Sequence, residues 1–319
     1  MAEIARPVDK LASRVTLAGW AALGGAGLLA LGGAVLLAGA SLAGGPERLP
    51  IQALLALVLG LALLGLGGLV LLVGLAAYVL VPAFHRELAR RNYGSHRVVV
   101  ASLSLAVMVS NLLAVPYAVA AGPGVLALAP RDLLVLIAGL ELSLLIVVYL
   151  RIVRPGVITW QQMGLTSHRL GQRALIGIAV GIGLFLLAAA IGAAMSSLGV
   201  QQNQAERFTS IREASPLEFG LVLLLGGVLT GFCEETFFRG YVFQAYSEQK
   251  GLHQAYLFSS LLFAVVHLDW RAFLPILVVG SGLAFVYRRS GSLIPSAMAH
   301  AVNNTISFSI LYFMPTLGV

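Results

Sequence analysis

The stretch Phe232-Cys233-Glu234-Glu235-Thr236-Phe237-Phe238-Arg239-Gly240-Tyr241 places two adjacent carboxylates and an arginine inside a long apolar segment. A helix that begins at Leu217 would carry Glu234 and Glu235 about 26 Å along its axis, at ~1.5 Å per residue. This depth lies within the roughly 30 Å of a bilayer's hydrocarbon core, where charged side chains are costly and usually mark a functional site. Glu235 and Arg239 are spaced i,i+4 with the acid first, which favours an ion pair. Glu234 is left for other partners.

The composition is that of a membrane protein. Of 319 residues, 59% are hydrophobic and 10% are charged, and the mean hydropathy is +0.94, whereas soluble domains carry about 25% charged residues. Nine hydrophobic segments predict an all-α, polytopic helix bundle in a lipid bilayer, with about eight or nine transmembrane helices. The segments are 16–43, 51–83, 98–121, 133–153, 174–198, 217–243, 255–270, 273–287 and 293–313.

The basic residues predict the orientation of the chain. With the N-terminus in the cytoplasm, fourteen Lys and Arg residues fall on the cytoplasmic side and five on the other side, as is typical of membrane proteins. This indicates a multi-pass protein of the cell membrane and explains the net charge of +7 without a nucleic-acid partner. We expect a four-helix N-terminal region of unknown role at 1–154 and a separate domain at 155–319. The oligomeric state is not indicated.

Two later apolar segments also carry polar side chains at helical spacing. Phe263 and His267 are one turn apart, and so are His300 and Asn304. Measured from the predicted cytoplasmic helix ends, Glu234, His267, His300 and Asn304 lie about 14, 20, 11 and 17 Å deep. Four polar groups from three helices are therefore predicted to converge at one level, in a site that opens toward the cytoplasm.

These groups suit the hydrolysis of a peptide bond. A carboxylate and a histidine can activate water, either as a general base or by holding a metal ion. A second histidine and Asn304 can stabilise the oxyanion that forms from a peptide carbonyl. Arg239 would keep Glu235 ionised and oriented. No HExxH motif is present, which excludes a zincin, and no G-x-S-x-G motif supports a serine hydrolase.

The three motifs together resemble those of a known family. Glu234-Glu235-x-x-x-Arg239, Phe263-x-x-x-His267 and His300-x-x-x-Asn304, in this order, are similar to the motifs of the CPBP intramembrane proteases. This superfamily includes the type II CAAX prenyl endopeptidases and the bacterial Abi proteins. The stretches Trp160-Gln-Gln-Met-Gly-Leu and Gly291-Ser-Leu-Ile-Pro-Ser also fit, so the resemblance covers roughly 155–313.

The resemblance implies an intramembrane endopeptidase that cleaves near a substrate's C-terminus at the cytoplasmic side. Glu234 and His267 would activate the water, and His300 with Asn304 would stabilise the oxyanion. Glu235 and Arg239 would form a structural pair. Whether Glu234, His267 and His300 hold a zinc ion, or the water is activated without a metal, is left open. The expected substrate is a peptide or the tail of a membrane protein.

Other interpretations are weighed against this one. A non-catalytic membrane scaffold or a bacteriocin-immunity-type binding protein could use the same fold. A proton-coupled transporter that uses Glu234 and Glu235 would need inverted repeats or broken helices in matched halves, and neither is evident in the sequence. Cys233 as a nucleophile lacks a basic partner nearby in sequence. Glu141 is either bonded within the bundle, with Asn111 or Ser143 as candidate partner, or part of a wet path, and the former is expected.

Overall fold

A computed structural model describes residues 7–42, 50–121, 129–200 and 204–314 of the chain. These residues are almost entirely helical, and no strand occurs among them. Six helices are long and apolar enough to cross a membrane, and the bent pair Arg86–Asn92 and His96–Leu112 is a seventh candidate. The predicted all-α, polytopic class is confirmed.

Twelve α-helices, numbered in chain order, make up most of the described chain. They are α1 (Pro7–Leu42), α2 (Ile51–Leu80), α3 (Arg86–Asn92), α4 (His96–Ala121), α5 (Pro130–Val148), α6 (Leu170–Ser197), α7 (Pro216–Val222), α8 (Thr230–Glu235), α9 (Gln244–Gln249), α10 (Leu252–Val266), α11 (Phe273–Ser290) and α12 (Leu293–Phe313). They are accompanied by 3₁₀ helices at Val81–Phe84 and Gln204–Glu213 and by π-helical stretches at Tyr149–Val153, Leu223–Leu229 and Thr236–Phe243.

The chain divides into two compact units. The first comprises Met1–Asn92 and His96–Leu105, and the second comprises Tyr93–Ser95 and Ala106–Val319. The predicted division into 1–154 and 155–319 is a different one and stays a prediction.

In the first unit, α1 and α2 form an antiparallel hairpin that packs along a row of glycines. A Cβ atom on Gly25 would lie 2.4 Å from the backbone nitrogen of Leu71, and one on Gly74 would lie 2.6 Å from that of Ala22. Only a residue without a side chain fits at such distances. Membrane helices commonly pack through small residues in this way.

The second unit is built on one long helix. Helices α7, α8 and α9 and the two π-helical stretches between them run on from Pro216 to Gln249. The helix begins at a capping box, in which the Ser215 hydroxyl accepts from the backbone N–H of Glu218, and a Glu218 carboxylate oxygen accepts from that of Ser215 over 2.8 Å. We call this element the long helix.

Helix α12 lies at the centre of the second unit, packed against α6, α11 and the long helix. A Cβ atom on Gly231 would lie 2.7 Å from the carbonyl oxygen of Ala297 on α12, so the two backbones almost touch there. Gly231 lies one turn before Glu234 and Glu235. The contact therefore brings both acids next to α12.

Two predicted membrane segments differ from the other seven. Segment 255–270 corresponds to α10, which has 15 residues and is ~22 Å long, shorter than the roughly 30 Å of a hydrocarbon core. Helix α12 has 21 residues, but its composition, with His300, Asn303 and Asn304, leaves it outside the six apolar helices. By length and composition, the described helices include six or seven candidate spans, against the eight or nine predicted.

Candidate active site

A fully buried ion pair occupies the interior of the second unit. Nη1 of Arg239 donates to Oε1 of Glu235 over 2.6 Å, and neither side chain is exposed to solvent. Nη2 of the same arginine donates to the carbonyl oxygen of Gly280 on α11 over 2.7 Å. The predicted i,i+4 pair is present, and it also ties the long helix to α11.

His300 connects α12 to both acids of the long helix. Its Nδ1 lies 3.2 Å from Oε1 of Glu235, and its Nε2 lies 3.9 Å from Oε2 of Glu234. Because a carboxylate can only accept, Nδ1 is the donor toward Glu235, and this bond orients the ring so that Nε2 points toward Glu234. The imidazole is almost completely buried.

The ring of Phe263 separates these groups from the rest of the core. Its centroid lies 4.6 Å from Cζ of Arg239, 5.0 Å from the ring of His267 and 5.5 Å from that of His300. An arginine over an aromatic face is stabilised by the ring's quadrupole. The ring of Phe263 therefore contacts a residue from each of the three motifs, which is a physical reason for an aromatic residue at this position.

His267 lies just beyond the last residue of α10. Its Nδ1 donates to the carbonyl oxygen of Phe263 over 2.7 Å, which leaves Nε2 as the ring nitrogen that can accept a proton. Asn304, on α12, donates from Nδ2 to the carbonyl oxygen of Gly226 over 3.1 Å, and its Oδ1 lies 3.4 Å from Nδ2 of Asn303. Both predicted site residues are therefore held by contacts to the protein.

A cavity of about 690 Å³ is lined by residues from all three motifs. Glu234, His267, His300 and Asn304 all line it, so the structure brings together the four groups predicted to converge. Glu235 and Arg239 lie behind them and do not reach the cavity. The side chain of Glu234 is 14% exposed, and its Oε2 has no hydrogen-bond partner in the described part of the chain.

The cavity extends toward one end of the second unit. Its lining includes Ser196 at the end of α6, Phe208 in the segment between α6 and α7, Pro275 near the start of α11 and Leu311 near the end of α12. On the other side of the site, buried aromatic side chains close the interior. They are Phe237, Phe238, Tyr241 and Phe243.

Whether this direction agrees with the predicted cytoplasmic opening depends on the orientation of the chain in the membrane. In the sequence of this unit, seven Lys and Arg residues lie at the end away from the cavity, and four lie at the end that the cavity approaches. The Lys and Arg bias and the cytoplasmic opening therefore cannot both hold. Only one of these two predictions can be correct.

The cavity also contains a carboxylate that the motifs do not include. Glu141, on α5, is 3% exposed and lines the cavity. Neither predicted partner binds it, because Asn111 donates to the carbonyl of Val107 and Ser143 to that of Gly139. It lines the cavity together with Thr230 of the long helix, whose hydroxyl donates to the carbonyl oxygen of Leu225. The sequence signal was its charge in an apolar segment, which marks a functional residue more often than a structural one.

The predicted zinc ligands are not arranged as a metal site. Over residues 7–42, 50–121, 129–200 and 204–314, no three His, Cys, Asp or Glu side chains are grouped so that they could hold a metal ion. Glu234 and His300 are neighbours, but His267 does not complete a set with them. The assignment of zinc to these three residues stays a prediction.

Comparison with known proteins identifies the same segment as the sequence motifs do. Residues 216–306 match the model of a family described as type II CAAX prenyl endopeptidase Rce1-like. The predicted resemblance is confirmed. All six predicted catalytic residues, Glu234, Glu235, Arg239, His267, His300 and Asn304, fall within this match.

Two bacterial relatives extend the comparison. The chain is 32% identical over 91 residues to the UPF0177 protein YxdF of Lactococcus lactis subsp. lactis (strain IL1403). This match spans 28% of this chain and 50% of that protein. It is 27% identical over 146 residues to a protein of Bacillus subtilis (strain 168) provisionally named membrane peptidase YdiL. This match spans 43% of this chain and 58% of that protein. The chain thus spans about half the length of these curated relatives. No solved structure matches it.

Removing the buried cation should destabilise the fold. Arg239→Ala leaves the Glu235 charge in a dry interior with only the Nδ1 contact of His300, and we expect the free energy of unfolding to fall by roughly 3–5 kcal/mol. Arg239→Lys should also destabilise the folded protein, because a single ammonium does not reproduce the two hydrogen bonds to Glu235 and Gly280. Denaturant unfolding in detergent micelles measures both effects. The matched control is Glu234→Gln, which we expect to change stability by less than about 1 kcal/mol; an equal loss in the control would contradict this account.

Proposed function

We propose that the protein is an integral-membrane endopeptidase in which Glu234 activates a water molecule. The observation that carries the proposal is the contrast between two adjacent acids. Glu235 is fully buried in an ion pair with Arg239, whereas the side chain of Glu234 is 14% exposed and lines the cavity. The family match over 216–306 and the provisional name of YdiL support a membrane peptidase.

The attacking water is proposed to lie between Glu234 and His267. Glu234 takes a proton from the water while the water oxygen bonds to the carbonyl carbon of the substrate. Nδ1 of His267 is committed to the Phe263 carbonyl, so its Nε2 is the atom that can orient the water. The cavity brings both side chains to one space.

The oxyanion is proposed to be stabilised by His300 and Asn304. One amide hydrogen of Asn304 is used on the Gly226 carbonyl, and Nδ2 carries a second one that can donate into the cavity. Nδ1 of His300 donates to Glu235, and Nε2 donates to the oxyanion when the ring carries a proton on both nitrogens. Donors fixed before the reaction begins stabilise developing charge without reorganisation. The C–N bond then breaks as the leaving nitrogen takes up the proton that Glu234 removed from the water.

The substrate is proposed to be a peptide or a membrane-protein segment that approaches along the cavity. The Lys and Arg bias rests on fourteen residues against five over the whole sequence, whereas the cytoplasmic opening rests on helical depth and on the family resemblance. We therefore keep the orientation, with the basic end of the second unit in the cytoplasm. The substrate then reaches the site from the opposite side of the membrane, through the end formed by Ser196, Phe208 and Leu311.

Replacing the proposed base should abolish hydrolysis without unfolding the protein. Glu234→Gln keeps the shape of the side chain but cannot take a proton, and we expect kcat to fall by roughly 10²–10⁴-fold. The measurement is cleavage of a peptide library by the purified protein in detergent. Cys233→Ser is the matched control, because Cys233 is adjacent and buried and is given no role; it should retain full activity. Wild-type activity in Glu234→Gln would instead favour the non-catalytic scaffold or immunity-type protein.

Zinc is not required by the proposed reaction. Since the described residues do not group three ligands, we expect the purified protein to hold far less than one zinc per chain and to keep its activity after dialysis against a chelator. Metal analysis of the wild type beside His267→Ala measures this. Stoichiometric zinc that is lost in His267→Ala would instead establish the predicted set of Glu234, His267 and His300 as a metal site.

Thiol labelling tests the proposed side of access. Glu213 lies at the end that the cavity approaches and Arg289 at the basic end, and both are exposed. A membrane-impermeant maleimide should label Glu213→Cys in intact cells and Arg289→Cys only after the cells are opened. The single native cysteine, Cys233, is buried and gives a low background. The reverse pattern would place the cavity on the cytoplasmic side and overturn the Lys and Arg assignment.

A further inference from the structure

Glu141 is a buried acid that the proposed reaction does not use. It comes from α5, outside the segment 216–306 that matches the family, and it lines the same cavity as Glu234. Glu141 is 3% exposed, and its Oε2 has no hydrogen-bond partner in the described part of the chain. Burying a carboxylate without a cation is costly, and an acid within a membrane segment is expected to have a function.

The described residues supply no cation for this acid. None of the ion pairs found among them includes Glu141, and no Lys or Arg is among the described residues that line the cavity. The buried arginine of the site, Arg239, donates to Glu235 and to the Gly280 carbonyl instead. A ligand that enters the cavity is therefore the source of positive charge that fits Glu141.

Helix α5 runs inward from the end that the cavity approaches. Leu133, in its first turn, belongs to one apolar cluster with Leu311 of α12, and Leu311 lines the cavity at that end. Glu141 lies eight residues after Leu133, which is about 12 Å further along the helix axis at ~1.5 Å per residue. The acid therefore lies in the inner part of the cavity.

The part of α5 that lines the cavity before Glu141 is apolar. It consists of Leu136, Ile137 and Leu140, which share a helix face with the acid because they are spaced three to five residues apart. The α6 residues that line the cavity leave room beside this wall, since four of them are small. They are Ala188, Ala189, Gly192 and Ala193.

An apolar wall with an acid at its inner end suits a long basic side chain. Lys and Arg carry an apolar stem that packs against such a wall and a charged group at its tip. A buried acid in the specificity pocket selects basic residues in some serine proteases for the same reason. The cavity of about 690 Å³ holds only a few residues of an extended chain, at ~3.3 Å per residue. A basic residue bound here would therefore lie close to the cleaved bond.

We propose that Glu141 is a specificity-determining residue, which binds a Lys or Arg side chain of the substrate within about three residues of the cleaved bond. This rests on the proposed function. The ammonium or guanidinium group donates to Oε2 of Glu141, and the methylene groups of the same side chain pack against Leu136 and Leu140. Bond cleavage stays with Glu234, and Glu141 neither gives nor takes a proton. The substrate class is an apolar segment that carries one basic residue.

Paired peptides that differ at one position test the specificity. One peptide carries Lys near the cleaved bond, and the other carries norleucine, which keeps the apolar stem without the charge. We expect the wild type to prefer the Lys peptide by about 10²-fold in kcat/KM and Glu141→Gln to lose this preference, because the substrate cation then has no buried charge to pair with. Equal cleavage of the two peptides by the wild type, or an unchanged preference in Glu141→Gln, would overturn the proposal.

The matched control is Ser143→Ala. Ser143 is buried on the same helix, donates to the Gly139 carbonyl and is not among the residues that line the cavity. This variant should keep both the wild-type rate and the preference for Lys.

A second variant covers the case in which Glu141→Gln does not fold. Glu141→Asp keeps the charge on a shorter side chain, so a longer basic residue is needed to reach it. We expect the preference to shift from Lys peptides toward Arg peptides. A purely structural role for the carboxylate would leave the ratio of Arg to Lys cleavage unchanged, and that result would contradict the proposal.

Binding to an inactive protein tests the site without any activity. In Glu234→Gln, Glu141 is the carboxylate that remains among the described residues lining the cavity. The probes are a fluorescent decapeptide of Leu and Ala with one central Lys, and the same peptide with norleucine there. Fluorescence anisotropy in detergent should show at least about tenfold tighter binding of the Lys peptide. The double variant with Glu141→Gln should bind both peptides equally.

The binding and cleavage experiments separate this proposal from the proposed function. If Glu141 is required for tighter binding of the Lys peptide and no peptide is cleaved, the proposed function fails while the basic-residue site stands. If peptides are cleaved without a preference for Lys or Arg, the role of Glu141 fails alone.

Discussion

The second unit depends on one interaction, the ion pair between Glu235 and Arg239 in a region that excludes water. Neither charge could be buried alone at an acceptable cost, so each requires the other. Nη2 of the arginine also needs an acceptor, and the Gly280 carbonyl of α11 is that acceptor. The carboxylate accepts from His300 as well. A single pair therefore fixes the long helix, α11 and α12 with respect to one another, and the cavity forms beside it.

The departures from regular α-helix in the long helix serve the site. A π-helical stretch shifts the hydrogen-bond pattern from i→i−4 toward i→i−5, which can leave carbonyl groups available to side chains. Leu225 and Gly226, both within such a stretch, accept from Thr230 and Asn304. The six residues of α8 that carry the two acids lie between two π-helical stretches. The irregular backbone thus provides the acceptors that hold the side chains around the acids.

The contacts within the candidate site follow from the sequence more readily than its surroundings do. The pairing of Glu235 with Arg239 followed from i,i+4 spacing, and the convergence of His267, His300 and Asn304 followed from helical depth, because both depend only on regular helix geometry. The position of Glu141 in the same cavity as Glu234 could not be found in this way, since the two residues lie 93 positions apart in the sequence and meet only through packing. The direction of the cavity depends on which aromatic side chains fill the interior, and spacing along one helix does not reveal that.

The shortness of α10 has a consequence for the surrounding lipid. A helix of ~22 Å cannot match a hydrocarbon layer of roughly 30 Å, and bilayers adjust to such hydrophobic mismatch by thinning locally. The chain continues from α10 into Leu268 and Trp270, which are both largely exposed and suited to a lowered interface, where tryptophan prefers to lie. Water and headgroups would then reach closer to His267 here than elsewhere on the perimeter. A peptide bond of a membrane-embedded chain would have less hydrocarbon to cross at this point, so the bilayer itself would become part of the route to the site.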